Sequence, residues 1–448
     1  MSVSDNLRVA FGRDRERIAQ NTDVKDNRIH RSNTKVFLMN SSAPDTLVTH
    51  DNWSDLRQFR DPPEIDIDRL YAYRTARLRE QMKIADVAAL VLVNPVSLRY
   101  AVDYSNYSLF QSRIPSTYLF VSQEGPTDIY GAYGTSSLID RAFPATGIAF
   151  FDAGDQLNEG ARQLADDLVT YLKELGTDNR RVALEVVNPS VTQACLQRGL
   201  EVIDGMPIAE MARVIKSEDE LDCMRWSVAV AELGIAKLRE AIRPGVTEAQ
   251  LWGLLNYTNL ANHGEWHDGR MLASGERINP WLQEASQRVV QSGDLVGFDT
   301  DMVGPMGYFC DVSRTFHCGP AKPTQRQKEI YRAAHAEIQH NMALLRPGIT
   351  LREFQAQSFP IPEEFQEQCY TCIIHGVGMC DEWPRINPAH RGPNPYDGTI
   401  EEGMVLTVES YMGAVGERDG VKLEEQVVIT ADGAEKMSSY PMEASLLD

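Results

Sequence analysis

The sequence predicts a mixed α/β (α+β) chain: two unlike domains behind a long N-terminal extension. Three observations predict it. Short apolar runs at 87–93 (VAALVLV), 117–121 (TYLFV) and 181–187 (RVALEVV) read as buried strands. Helical spacing at 66–85 (Leu70, Tyr73, Leu78, Met82) and at 160–175 alternates with them, which makes an α/β domain. After about residue 210 the strands change character and carry aspartate, glutamate or histidine. The divisions fall at 1–60, 61–210 and 211–448. A chain of 448 residues is long enough for two or three cores.

Residues 1–60 are polar and show little periodicity. They read as a surface arm that contacts a partner subunit. The boundary near 210 has a local signature. Ser217 followed by Glu220 is a capping box, opening a helix over 218–242 that stops at Arg243-Pro-Gly245. Thr247 opens the next helix. The same order returns later: a helix over 324–345, Arg346-Pro-Gly348, then Thr350. This is a weak internal repeat.

Composition narrows the function classes. The chain is 43% hydrophobic and 24% charged, ordinary for a soluble globular protein, with a formal net charge of −20. That charge argues against a nucleic-acid partner, which needs a basic surface. It suits a cationic ligand, although acidity also serves solubility. No run reaches the roughly 18 apolar residues of a membrane span. The first residues lack the apolar core of a secretory signal. The seven cysteines are scattered; Cys369 and Cys372 lack the partners of a zinc site and read as thiols in a reducing cytoplasm.

The chemistry concentrates in 293–317, GDLVGFDTDMVGPMGYFCDVSRTFH. Asp294–Asp301 reads as one strand, so that alternation points Asp299 and Asp301 to the same face. Gly304, Pro305 and Gly307 make a turn, and Tyr308–Phe316 returns with Asp311. Downstream, His375 ends an apolar strand (IIHGVG), Glu409 lies in MVLTVE and Glu424 in VKLEEQVVIT. Asp299, Asp301, Asp311, Glu409 and Glu424 sum to −5. Burying even one unpaired carboxylate costs several kcal/mol, and no matching cluster of Lys or Arg is expected on these strands. Two divalent cations with O/N ligands meet the requirement.

The segments GDLV…D…D-x-x-R-T-F, HGVG, VLTVES and LEEQVVIT resemble the methionine aminopeptidase/prolidase superfamily over about residues 85–440. The resemblance implies a creatinase/prolidase-like α/β domain followed by a pita-bread domain with a curved antiparallel sheet. It implies Asp299, Asp311, His375, Glu409 and Glu424 as metal ligands. Neither Asp299 nor Asp301 stands at the family's usual interval from Asp311, so Asp301 is kept as a sixth ligand.

Departures from the peptidases point to another substrate. Their pattern HGxGxxxHExP has a second histidine seven residues past the first; counted forward from His375, that place holds Glu382, between Asp381 and Trp383. A further family histidine, in A-S-G-x-N-x-x-x-P-H, is replaced at Trp281. Both imidazoles that serve a peptide's tetrahedral intermediate are therefore absent. Trp281, Trp383 and Tyr370 offer aromatic faces to an onium cation, each contact being worth about 0.5–2 kcal/mol. Asp381 or Glu382 supplies a carboxylate base.

The chain length, the extension, the doubled Asp299/Asp301 and HGVGMCDEWP resemble the dimethylsulfoniopropionate lyases of the DddP type, a branch of that superfamily. The resemblance implies β-elimination of a small zwitterionic sulfonium substrate with Asp381 as base. It also implies two divalent ions per chain, iron ahead of manganese, cobalt or zinc, and a cytoplasmic homodimer. Two other readings compete: a Xaa-Pro aminopeptidase/prolidase-like metallohydrolase using Glu382 as proton shuttle, and a binding protein on the same fold.

Overall fold

The structure is a computed structural model that describes residues 62–132, 134, 136–144 and 155–448. The expected extension, 1–60, lies outside the described residues. The first described helix, Ile67–Ile84, is opened by the Asp66 side chain, which accepts from the Arg69 amide. It buries Leu70, Leu78 and Met82 as the periodicity predicts, and also Arg74. Arg74 is compensated: its guanidinium donates to the Tyr308 hydroxyl at 2.7 Å, and that hydroxyl donates to Glu220 at 2.9 Å.

The apolar runs form one six-stranded sheet. Its strands are β1 (Ala89–Leu92), β2 (Tyr118–Ser122), β3 (Asp128–Tyr130), β4 (Arg141–Phe143), β5 (Arg181–Leu184) and β6 (Glu201–Asp204). The spatial order is β4-β3-β2-β1-β5-β6. β1 pairs parallel with β5 and antiparallel with β2. Leu90, Val91 and Leu92 are wholly buried, each contributing about 1.5–3 kcal/mol. The helix Asp155–Glu174 falls where the spacing predicts one. β3, β4 and β6 escape the pattern because three or four residues are too few to show alternation.

The two R-P-G signals produce matching turns. Helix Glu218–Ala241 ends before Gly245 (φ 99°), and Thr247 caps Glu248–Ala261. Helix Gln325–Leu344 ends before Gly348 (φ 87°), and Thr350 caps Leu351–Gln357. Only glycine holds that left-handed backbone without a Cβ penalty.

The remaining strands carry the candidate ligands. β7 (Trp266–His267), β8 (Leu272–Ser274), β9 (Leu295–Asp299), β10 (Met302–Val303), β11 (Phe309–Cys310) and β12 (Ser313–His317) form two three-stranded sheets, β12-β9-β8 and β11-β10-β7. β13 (Ile374–Val377), β14 (Asp381–Ile386), β15 (Val405–Gly413), β16 (Gly420–Thr430) and β17 (Gly433–Lys436) form an antiparallel sheet in the order β14-β13-β15-β16-β17. β12 lies against β16, joined by Thr315 to the Lys422 carbonyl at 2.8 Å and by Arg314 to the Glu424 carbonyl at 2.8 Å. The result is a curled antiparallel half-barrel, the pita-bread class the sequence predicts. Among the described residues no helix is long and apolar enough to cross a membrane. All seven cysteines are unpaired.

Candidate metal centre

The aspartate hairpin converges, but not for the reason alternation gives. The strand expected over 294–301 stops at Asp299, and the return strand is interrupted at Asp311–Val312. Asp301 sits in the break with a left-handed backbone (φ 37°). Thr300 bridges the two gaps: its hydroxyl donates to the Cys310 carbonyl and accepts from the Val312 amide, both at 2.9 Å. The breaks therefore cost little in hydrogen bonding. They bring ligand atoms of Asp299, Asp301 and Asp311 within 4.8 Å of one another.

The large sheet supplies the other wall. Glu409 on β15 and Glu424 on β16 are direct cross-strand partners. Like charges so placed are destabilising unless a cation intervenes. Atoms of Asp311, His375 and Glu424 form a second close group, again within 4.8 Å. His375 Nε2 lies 3.2 Å from Glu409, 3.6 Å from Asp311 and 3.9 Å from Glu424. Its Nδ1 lies 2.9 Å from the Gly376 carbonyl. A proton on Nδ1, donated there, leaves the Nε2 lone pair facing the carboxylates, the tautomer a metal ligand needs.

The charges are not balanced by the chain. Burial, then repulsion from neighbouring carboxylates, holds Asp301, Asp311 and Glu424 well above the usual carboxylate range. Burial opposes charge on His375, yet its hydrogen bond to Glu409 and the field of Asp381 push it up to about 9. Asp299 Oδ1, Asp311 Oδ1 and Glu424 Oε1 are buried with no hydrogen-bond partner. Orphaned, mutually repelling carboxylate oxygens beside an oriented imidazole fit hard or borderline divalent cations.

One expectation is corrected. The ligand strands do carry a cation: Lys422, wholly buried. Its Nζ lies 3.0 Å from Asp299 and 3.3 Å from Glu424, contacts Glu409, and is 2.8 Å from the Ser313 hydroxyl. Lys422 stands two residues before Glu424, so strand periodicity puts both on one face. One ammonium against five carboxylates still leaves a large negative excess.

The residues expected to act on substrate separate. Tyr370 meets the cluster, its ring 4.7 Å below the Lys422 ammonium, so one aromatic face already holds a cation. Trp281 is buried and stacks on Tyr411 with centroids 6.0 Å apart, its indole nitrogen unpartnered. Trp383 packs on Tyr396 at 6.5 Å and against Gly398. Neither of these tryptophan contacts is to a candidate ligand.

Asp381 and Glu382, neighbours on β14, part company. Asp381 Oδ1 is 3.7 Å from His375 Nδ1, and its side chain is 65% exposed. Protein mass around it, then Glu409, Asp299 and Asp268, raise its pKa against the lowering by His375. Glu382 is fully enclosed, bonded at 2.9 Å to both Arg213 and Lys216. A shuttle role for Glu382 is thereby corrected: its carboxylate is occupied on the opposite face. Counting back from Pro384 in HExP, rather than forward from His375, puts Asp381 at the peptidases' histidine and Glu382 on their glutamate.

A pH effect follows from Glu337, buried beneath β15. Its carboxyl accepts from Ser410 at 2.7 Å while its other oxygen has no partner. Burial, only partly offset by Ser410, pushes it up to about 8 from an ordinary 4.5. Between those pH values the folded state keeps a proton that the unfolded chain has released, so stability falls as pH rises through that window. Glu337→Gln is expected to stabilise metal-free protein at pH 8.5 by up to about a few kcal/mol, read as a higher melting temperature. The gain should vanish near pH 4.5. Melting curves of both proteins across this range check it; equal gain at both ends contradicts it.

Known proteins agree with this architecture. Residues 222–431 match the model of metallopeptidase family M24. The chain is 35% identical over 395 residues to a dimethylsulfoniopropionate lyase DddP of Roseovarius nubinhibens, spanning 85% of this chain and 88% of that one. It is 33% identical over 397 residues, with the same shares, to the dimethylsulfoniopropionate lyase DddP of Roseobacter denitrificans. Among solved structures, a Xaa-Pro dipeptidase from Bacillus anthracis superposes with a TM-score of 0.66 at 21% identity, over 83% of this chain and 99% of that one, a likeness of fold. With both lyase relatives matched along most of their length, and the M24 model laid over the ligand-bearing strands, the chain belongs to the dimethylsulfoniopropionate lyase family of the DddP type, within the M24 superfamily.

Proposed function

We propose that this chain cleaves the C–S bond of dimethylsulfoniopropionate by β-elimination, releasing dimethyl sulfide and acrylate. The observation that carries the reading is an accessible carboxylate, Asp381, beside an orphaned carboxylate–imidazole cluster, at the place of the peptidases' proton-transferring histidine. Asp381 takes the proton from the carbon next to the substrate carboxylate. The freed electron pair forms the C=C bond as the C–S bond breaks, and the sulfur keeps its pair as neutral dimethyl sulfide. The proton then passes from Asp381 to water. Divalent ions held by Asp299, Asp301, Asp311, His375, Glu409 and Glu424 supply, when bound, the positive charge that neutralises the substrate carboxylate and favours charge beside it.

Lys422 and Ser313 hold Asp299, Glu409 and Glu424 in register, limiting their mutual repulsion. Tyr370, Trp281 and Trp383 are the candidates for the sulfonium; Tyr370 is the one with a contact to the cluster. The family resemblance supports two ions per chain, iron first, and a cytoplasmic homodimer. It also supports division of the chain into an extension (1–60), an α/β domain (61–210) and a catalytic domain (211–448). The competing hydrolase reading needs a free shuttle, and Glu382, its candidate, is bonded to Arg213 and Lys216.

The test is a paired assay of iron-loaded protein. Headspace dimethyl sulfide from dimethylsulfoniopropionate, with no amino acid freed from an Xaa-Pro dipeptide, is the expected result. Release of the amino acid without dimethyl sulfide overturns the reading.

A further inference from the structure

The helix Met206–Arg213 and the residues after it bring two buried cations against β14. Arg213 Nε lies 2.9 Å from one Glu382 oxygen and Lys216 Nζ lies 2.9 Å from the other. The Met379 amide donates to the same carboxylate at 3.1 Å. A Cβ at Gly378 would come 2.5 Å from it, so only glycine lets the turn close over the carboxylate. The turn is fixed on its other side too, since the Phe309 amide of the aspartate hairpin donates to the Gly378 carbonyl at 2.8 Å. Arg213 in turn reaches Ser97, which is bonded to the buried Glu185 at the end of β5 in the first sheet. A chain of buried polar contacts thus runs from the first sheet to the residue beside Asp381.

Neighbouring residues of a strand face opposite sides. Fastening Glu382 inward therefore fixes which way Asp381 points. A swollen or re-registered turn between Val377 and Asp381 would move the carboxylate away from His375. Two full ion pairs on one buried glutamate are more than packing demands, because a hydrophobic residue could fill such a site at no loss of stability. We propose that Arg213 and Lys216 are positioning residues: through Glu382 they hold Asp381 at the angle and distance at which it takes the substrate proton. This rests on the reading of Asp381 as the base.

The experiment uses metal-loaded full-length enzyme and four variants: Arg213→Met, Arg213→Lys, Lys216→Met and Asp381→Ala. For each, kcat, KM and metal per chain are measured, together with the deuterium isotope effect on kcat for substrate deuterated at the carbon next to its carboxylate. Arg213→Met is expected to lower kcat about 10- to 100-fold, with KM within about twofold and metal content unchanged. Its isotope effect should rise, because proton removal becomes more rate-limiting, and Arg213→Lys should recover most of kcat. A fall in kcat that only tracks lost folded protein, with an unchanged isotope effect, overturns the proposal. Should Arg213→Met fail to fold, Lys216→Met carries the same readouts. Turnover surviving in Asp381→Ala overturns the base reading itself. Turnover lost there but normal kinetics and isotope effects in Lys216→Met and Arg213→Met overturns the positioning role alone.

Discussion

Asp381→Ala is expected to lose turnover by about 100- to 10,000-fold, the range a positioned general base supplies. Metal content should stay close to that of the parent. Asp381 stands on the rim, 65% exposed, with its Oδ1 3.7 Å from the Nδ1 of His375. Removing it leaves the buried oxygens of Asp299, Asp311 and Glu424 in place. Asp381→Asn should behave alike, since the amide keeps the shape and lacks the basicity. Glu382→Gln gives a contrasting outcome. It leaves Lys216 without its ion-pair partner and Arg213 with Glu210, 2.6 Å away, so its first effect is on stability, about 3–5 kcal/mol for a broken buried pair. Turnover rates and elemental analysis of the same preparations check the pair. An Asp381→Ala protein that works normally, or that has lost its metal, contradicts the assignment.

Glu424→Gln is expected to act through the cations. Glu424 is wholly buried, faces Glu409 across the ladder, and belongs to the close group with Asp311 and His375. Its Oε2 is already engaged by Ser313 and Lys422, which leaves the orphaned Oε1 for an ion. An amide there offers one neutral oxygen in place of a charged pair. Metal affinity should fall at least about 100-fold, the upper end of what even outer partners of a metal contribute. Activity should disappear at limiting metal and return in part at excess. Calorimetric titration of metal into the stripped protein reads this directly, and unchanged affinity contradicts the ligand role.

Much of this was legible in the sequence, and the lapses have physical causes. Ser217, Thr247, Thr324 and Thr350 announce their helices because capping is a local bond between a side chain and an amide three residues on. The ligand candidates stand out because five acids on apolar strands need an external cation. Periodicity misled at Asp301, where the strand breaks and Thr300 repairs the ladder. Lys422 is legible in part: it stands two residues before Glu424, on the same face of the strand, but nothing local shows that it reaches Asp299 and Glu409. Glu382 illustrates a different limit: its partners Arg213 and Lys216 are 169 and 166 residues away in sequence, so nothing local separates it from Asp381. Trp281 and Trp383 stand in or beside the motifs, yet their rings pack on Tyr411 and Tyr396, which lie 130 and 13 positions away in sequence.

The proposed reaction couples a cation-dependent carboxylate cluster to proton removal by Asp381. Its most direct test follows dimethyl sulfide release while metal is added to stripped protein, with bound metal counted in each sample. The expected result is no release without metal, a rise in step with the ions bound, and a plateau at two per chain, with acrylate formed in equal amount. Full release from metal-free protein, or none from protein holding two ions per chain, would contradict it.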